Sequence, residues 1–109
     1  MITVSPKHRI FLAIAAVDFR KGLDALTRLC QSRFSQTLLD EGHYFIFRNR
    51  RKTDIKILYQ DQQGCCLFQK RLDKGRFAHW PTAESPMVTL TPVQLQVLLS
   101  NGNPKDTSV

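Results

Sequence analysis

No Cys-x-x-Cys pair occurs in this sequence, and its three cysteines, Cys30, Cys65 and Cys66, are odd in number. Neighbouring residues of a strand point to opposite faces, so Cys65 and Cys66 cannot serve one ligand set from a strand. A zinc site and a disulfide framework are both disfavoured. Buried thiols in a reducing cytosol are the expectation. His8, His43 and His79 stand apart, without metal-ligand spacing. There is no glycine-rich phosphate loop and no nucleophile elbow. Asp18, Asp24, Asp54 and Asp61 have the chemistry to bind magnesium, but capping, ion-pair and turn roles account for them more simply. A non-enzymatic protein without a cofactor is therefore expected.

Long apolar runs are missing too. The longest, Ile10 to Val17, is too short to span a bilayer and has no cleavage-site context, so a cytoplasmic location is expected. No internal repeat is visible. Acidic residues are scarce: nine Asp and Glu face 16 Lys and Arg, a formal charge of +7. Such a field favours polyanionic partners, although a merely soluble basic protein has the same composition. The 109 residues, 42% hydrophobic and 23% charged, suit one globular domain rather than a disordered chain. Residues 1–100 read as that domain and 101–109 as a flexible tail.

The expected fold class is α+β: a small antiparallel sheet, a three-stranded meander plus an N-terminal strand, packed against two or three helices. Ile10 to Val17 has the length of a buried strand, and its alanines also allow a helix. Asp18 reads as a helix N-cap, after which Phe19, Leu23, Leu26 and Cys30 share one face. That placement puts Arg20 and Lys21 in the first helical turn, where the dipole disfavours cations and a bound phosphate would offset the cost. Solvated side chains explain the same pattern. Phe34, Leu38 and Leu39 extend this helix or form a second short one.

His43 to Arg48, Asp54 to Gln60 and Cys65 to Arg71 read as three strands rich in Ile, Leu, Phe and Tyr. The tight linker Asp61-Gln62-Gln63-Gly64 makes them an antiparallel meander. Register, and hence inward-facing side chains, cannot be set by pattern alone. Met87 to Leu90 reads as a short strand. Thr91 to Ser100 reads as a helix with a Thr91–Gln94 capping box and Pro92 in its first turn, stopped by Asn101-Gly102.

In an up-down-up sheet the first and third connections leave from the same end. The first carries Arg48, Arg50, Arg51 and Lys52; the third is flanked by Lys70, Arg71, Lys74 and Arg76. Two basic clusters distant in sequence should thus converge on one edge, which a scattered solvated surface would not do. The aromatics of this region are mostly strand core by pattern, with Tyr59 and Trp80 the candidates for exposure.

The stretches "DFRKGLDAL", "FRNRRKTDIKILYQD", "GCCLFQKRLDKGRF" and "LTPVQLQVLL" occur in this order from Asp18 to Leu99. Together they resemble the small TnpB-type accessory protein, the second-reading-frame product, of the IS-sixty-six insertion-sequence family. The resemblance covers nearly the whole chain. It implies a role in moving a bacterial transposable element beside a separate transposase that carries the chemistry. By position it assigns the Asp-x-Arg-Lys-Gly core to Asp18, Arg20, Lys21 and Gly22. The Arg-rich hairpin falls on Arg48, Asn49, Arg50, Arg51 and Lys56, and the next basic segment on Lys70, Arg71, Gly75 and Arg76. Where the family commonly has Gly-Asp at the hairpin tip, this chain has Lys52-Thr53. The expected interface for DNA is Arg20, Lys21, Arg48, Arg50, Arg51, Lys52, Lys56, Lys70, Arg71, Lys74 and Arg76. The expected partners are the DNA backbone and the transposase; an adapter docking on the transposase without touching DNA is the alternative.

Overall fold

The computed structural model describes residues 7–20, 22–107 and 109. Its strands are β1 (Ile10–Ala13), β2 (His43–Arg48), β3 (Asp54–Gln60), β4 (Cys65–Arg71) and β5 (Met87–Leu90). They form one five-stranded sheet in the order β4-β3-β2-β1-β5. The fold is α+β, but the sheet is mixed rather than antiparallel and has one strand more than a meander plus an N-terminal strand. β1 runs parallel to β2, with Phe11 opposite Phe45, and antiparallel to β5, with Leu12 opposite Val88. The meander β2-β3-β4 lies at the residues the pattern indicates, in the register Ile46–Ile57 and Ile57–Phe68.

β2 is central, and its run HYFIF is buried throughout because both faces of the sheet are covered. Its alternate residues feed two cores. Tyr44 and Ile46 join Ile10, Leu12, Ile55 and Ile57 beneath Phe77, Trp80, Leu95 and Leu98. Phe45 and Phe47 join Ala13, Leu58, Leu26, Cys30 and Leu39 on the opposite face. Burial pushes the Cys30 thiol up to about 12, so it remains protonated and packs as a small apolar group.

Helix α1 (Leu23–Arg33) starts later than the Asp18 cap implies. Gly22 is its extended N-cap and makes no side-chain cap bond, while Asp24 and Arg33 complement the dipole at either end. Asp18 turns its carboxylate onto Arg20 instead. Phe19 therefore precedes the helix, though it still packs on the α1 core. Chain direction changes at Phe34, and Ser35 caps a separate short helix α2 (Gln36–Asp40). Between α2 and β2 the backbone passes through Gly42 at φ +88°, where a Cβ would stand 2.7 Å from the Tyr59 hydroxyl.

Helix α3 (Pro92–Leu99) has the full capping box: Thr91 Oγ1 accepts from Gln94 N, and Gln94 Oε1 accepts from Thr91 N. Asn101 ends it in the left-handed region at φ +61°. Pro104–Asp106 then form a short 3-10 turn with Pro104 buried. Trp80 is not an exposed aromatic. It is 7% exposed, and its Nε1–H donates to the Ala13 carbonyl at 2.9 Å, across the end of β1.

Candidate nucleic-acid interface

The first meander connection is shaped by Asn49. Its Oδ1 accepts the Thr53 and Asp54 amides at 3.0 and 3.1 Å, and its Nδ2 donates to Thr53 Oγ1 at 2.9 Å. This side-chain bracing closes the turn and lifts Arg50 and Arg51 into solvent. Lys52 sits at φ +61°, a conformation that favours glycine and so matches the residue the family resemblance expects there. The third connection is stitched onto the same turn. Leu72 N donates to the Thr53 carbonyl at 2.9 Å, and Phe77 N to the Lys52 carbonyl at 2.7 Å. The two basic clusters therefore do meet at one end of the sheet, with Lys74 and Arg76 exposed on the adjoining turn.

Residues 14–17 lie across the end of β2, held by Ile14 N to the Pro86 carbonyl and Val17 N to the Arg48 carbonyl, both 3.0 Å. Between this segment, the 49–53 turn and the end of β4 opens a basin of about 960 Å³. Arg20, Arg50, Arg51 and Arg71 line it, together with Asp18 and Asp54. Four guanidinium groups against two carboxylates leave a surplus of two positive charges (4 − 2) around one concavity.

Both carboxylates orient arginines. Asp18 takes the Arg20 fork at 2.8–3.1 Å, a bidentate geometry that orients a guanidinium whose side chain is 91% exposed. Asp54, its side chain only 5% exposed, accepts from Thr53 Oγ1 at 2.7 Å, Gln69 Nε2 at 2.7 Å and Arg71 Nε at 2.9 Å. Burial alone pushes the Asp54 carboxyl up. The hydrogen bonds from Thr53, Arg71 and Gln69, with the Arg71 charge, outweigh it and hold the group below the usual carboxylate range. Arg71 is thus pinned through Nε while three quarters of its side chain stays exposed.

Other basic residues of the expected interface are engaged elsewhere. Lys56 is 6% exposed; its Nζ donates to the Phe19 carbonyl at 3.0 Å and lies 4.8 Å from the Phe19 ring centre. It tethers the wall that carries Arg20 and offers no surface for a ligand. Arg48 reaches the Ile14 and Asn49 carbonyls at 3.3 Å, and burial pulls its pKa down. Lys70 points to the other side of the sheet, where Nζ donates to the Leu99 carbonyl at the C-terminus of α3 at 2.5 Å. Lys21 lies outside the described residues, and Arg20 precedes α1, whose first turn begins at Leu23.

The polar framework of Asn49, Thr53, Asp54 and Gln69 is absent from the sequence-based expectation. Its only sequence signal is an Asx-turn residue, Asn49, four and five positions before Thr53 and Asp54. Among the described residues no cluster of three or more His, Cys, Asp or Glu could hold a metal ion. No described helix is long and apolar enough to cross a membrane.

Residues 8–108 match the family described as IS66 Orf2 like protein. The uncharacterized protein y4hO of Sinorhizobium fredii (strain NBRC 101917 / NGR234) is 41% identical over 100 residues, covering 92% of this chain and 85% of its own. A second protein of that strain, y4jC, also uncharacterized, is 31% identical over 102 residues, covering 92% and 84%. No solved structure matches. With the family match spanning nearly the entire chain, this protein belongs to the IS66 Orf2-like family and has the accessory role of that family in IS66 transposition.

Proposed function

We propose that this protein is a non-enzymatic accessory factor that holds DNA through its phosphate backbone in the arginine basin, beside the transposase of the same element. The observation that carries the reading is the pair of pre-oriented guanidinium groups, Arg20 on Asp18 and Arg71 on Asp54, beside the free Arg50 and Arg51. Arginine forks match phosphate oxygens in two-point geometry, and fixing them in advance lowers the ordering cost of binding. Such contacts position a backbone without reading bases. The short α1, capped by Gly22 and packed on the sheet, is not offered to a groove.

Salt dependence gives the test a number. Four phosphate contacts predict about a 150-fold loss of affinity between 50 and 200 mM salt, and seven, with Lys52, Lys74 and Arg76 included, about 10⁴-fold. Gel shifts with element-end and random duplexes over that range measure the slope. The double variant Arg50→Glu with Arg51→Glu should abolish the shift while leaving the melting temperature unchanged, since both side chains are exposed. Salt-insensitive binding, or binding that survives the double charge reversal, would refute the assignment. Association with the transposase that persists after nuclease treatment and is lost in the same double variant would instead identify the basin as a protein-docking site.

A further inference from the structure

β4 closes one end of the sheet and exposes its outer edge. Asp61 N donates to the Gly64 carbonyl at 2.9 Å, which makes Asp61–Gly64 a hydrogen-bonded pair. Hydrogen-bonded pairs alternate along an antiparallel ladder. In the register Ile57–Phe68, the backbone groups of Cys66, Phe68 and Lys70 consequently face β3. Those of Cys65, Leu67, Gln69 and Arg71 face outward. None of the turn, loop or cap backbone hydrogen bonds among the described residues reaches these four.

Monomeric proteins blunt such edges with charged side chains, prolines or bulges. β4 has neither proline nor bulge, and its ladder with β3 is continuous from Cys65 to Arg71. Its two cations do not guard the edge. Lys70 is drawn onto the Leu99 carbonyl and Arg71 onto Asp54. The remaining five residues, Cys65 to Gln69, are uncharged. At their heart stands Phe68, 44% exposed and one of the few large apolar side chains left in solvent. The opposite edge, β5, has only four residues and follows Pro86 directly.

We propose that the β4 edge is a self-association surface whose partner is a second copy of this chain, paired antiparallel about a two-fold axis at Phe68. Three features of the strand select this occupant. Phe68 is the midpoint of Cys65–Arg71, so the strand overlaps its copy over its full length. The outward-facing residues then meet one another, Leu67 with Gln69 and Cys65 with Arg71. Phe68 meets its copy at a non-hydrogen-bonded position, where opposed side chains approach most closely. Charge favours the same arrangement. In a chain of formal charge +7, parallel pairing would set Lys70 and Arg71 against themselves, whereas the antiparallel register sets them against Cys66 and Cys65. The result is a continuous ten-stranded sheet with both arginine basins on one face. The two Arg71 Cα atoms would be offset by about 20 Å along the strands.

Sedimentation or light scattering on the full chain at roughly 100 µM tests this without DNA. The expected mass is twice 12.6 kDa for the wild type and 12.6 kDa for Phe68→Glu and for Phe68→Lys. Both substitutions fall on a half-exposed side chain, and unchanged circular dichroism will show that the variants fold. Each variant alone opposes like charges at the axis, while an equimolar mixture opposes unlike charges and should recover the doubled mass. A monomeric wild type at that concentration, a dimer that survives Phe68→Glu, or a mixture that stays monomeric would each overturn the proposal.

Discussion

Replacing Asp54 by asparagine tests the polar framework beneath the basin most directly. The wild-type carboxylate is almost fully buried and accepts from Thr53, Gln69 and Arg71. Asparagine can keep an oxygen toward Gln69 and Arg71, but it must then turn an amino group toward Thr53. One hydrogen bond reverses and two lose their charge. Hydrogen bonds to a charged group contribute about 1.5–3 kcal/mol each. The Arg71 pair counts for less, about 0.5 kcal/mol, because the guanidinium is largely in solvent. A net loss of about 2 kcal/mol follows, or roughly 10 °C in melting temperature for a domain of this size.

The pH dependence has a definite sign. Asp54 titrates below its unfolded value, so its contribution is complete above the unfolded pKa of about 3.9 and is lost as pH falls through the folded one. Urea denaturation followed by circular dichroism should therefore give a steady gap between wild type and Asp54→Asn from about pH 5 to 7, closing below about pH 4. A gap under about 0.5 kcal/mol at neutral pH, or one undiminished in acid, would refute the account of Asp54 as an ionised, multiply bonded anchor.

Trp80→Phe keeps most of the apolar packing but leaves the Ala13 carbonyl without its indole donor; a loss of about 2 kcal/mol in urea denaturation is expected. Lys56→Met preserves contact with Phe19 and removes the bond to its carbonyl. Stability should fall by about 1 kcal/mol and amides of residues 17–20 should exchange faster, with the salt slope of DNA binding unchanged. Thr91→Ala removes the side-chain half of the α3 capping box and should cost about 1 kcal/mol in thermal denaturation.

Elements written in short-range signals were legible in the sequence. The meander followed from strand composition and a four-residue turn, and α3 from its Thr-Pro-x-Gln start. The convergence of the basic connections followed from those strands alone, because up-down-up geometry leaves no other place for them. Pairings between distant segments left no such trace. Nothing in Ile10–Ala13 indicates that it enters the sheet parallel to β2 and receives β5 on its other side. Asp18 has the chemistry of an N-cap, but its own neighbour Arg20 competes for it, and the extended Gly22 takes the cap position. Lys56 illustrates the limit of alternation: in "DIKILYQ" either face could be the wet one. Only the register with β2 places Lys56 opposite Phe47, under the Phe19 segment. The framework around Asp54 escaped for the same reason, since Gln69 and Arg71 reach it from a strand whose facing was undetermined.

The position of β1 bears on how the polypeptide acquires its shape during synthesis. Among the described strands β1 is synthesised before the others, yet it lies between β2 and β5, and β5 begins more than seventy residues later. Until then one side of Ile10–Ala13 has no ladder partner, and before Trp80 appears the Ala13 carbonyl lacks its indole donor. Contacts of such wide separation form slowly. A nascent chain can dock β1 on β2 soon after residue 48, but the sheet becomes whole only when residues 87–90 arrive. A message cut short before that codon would yield a product with a bare apolar strand at its margin, prone to the intermolecular pairing that the complete fold prevents on this side.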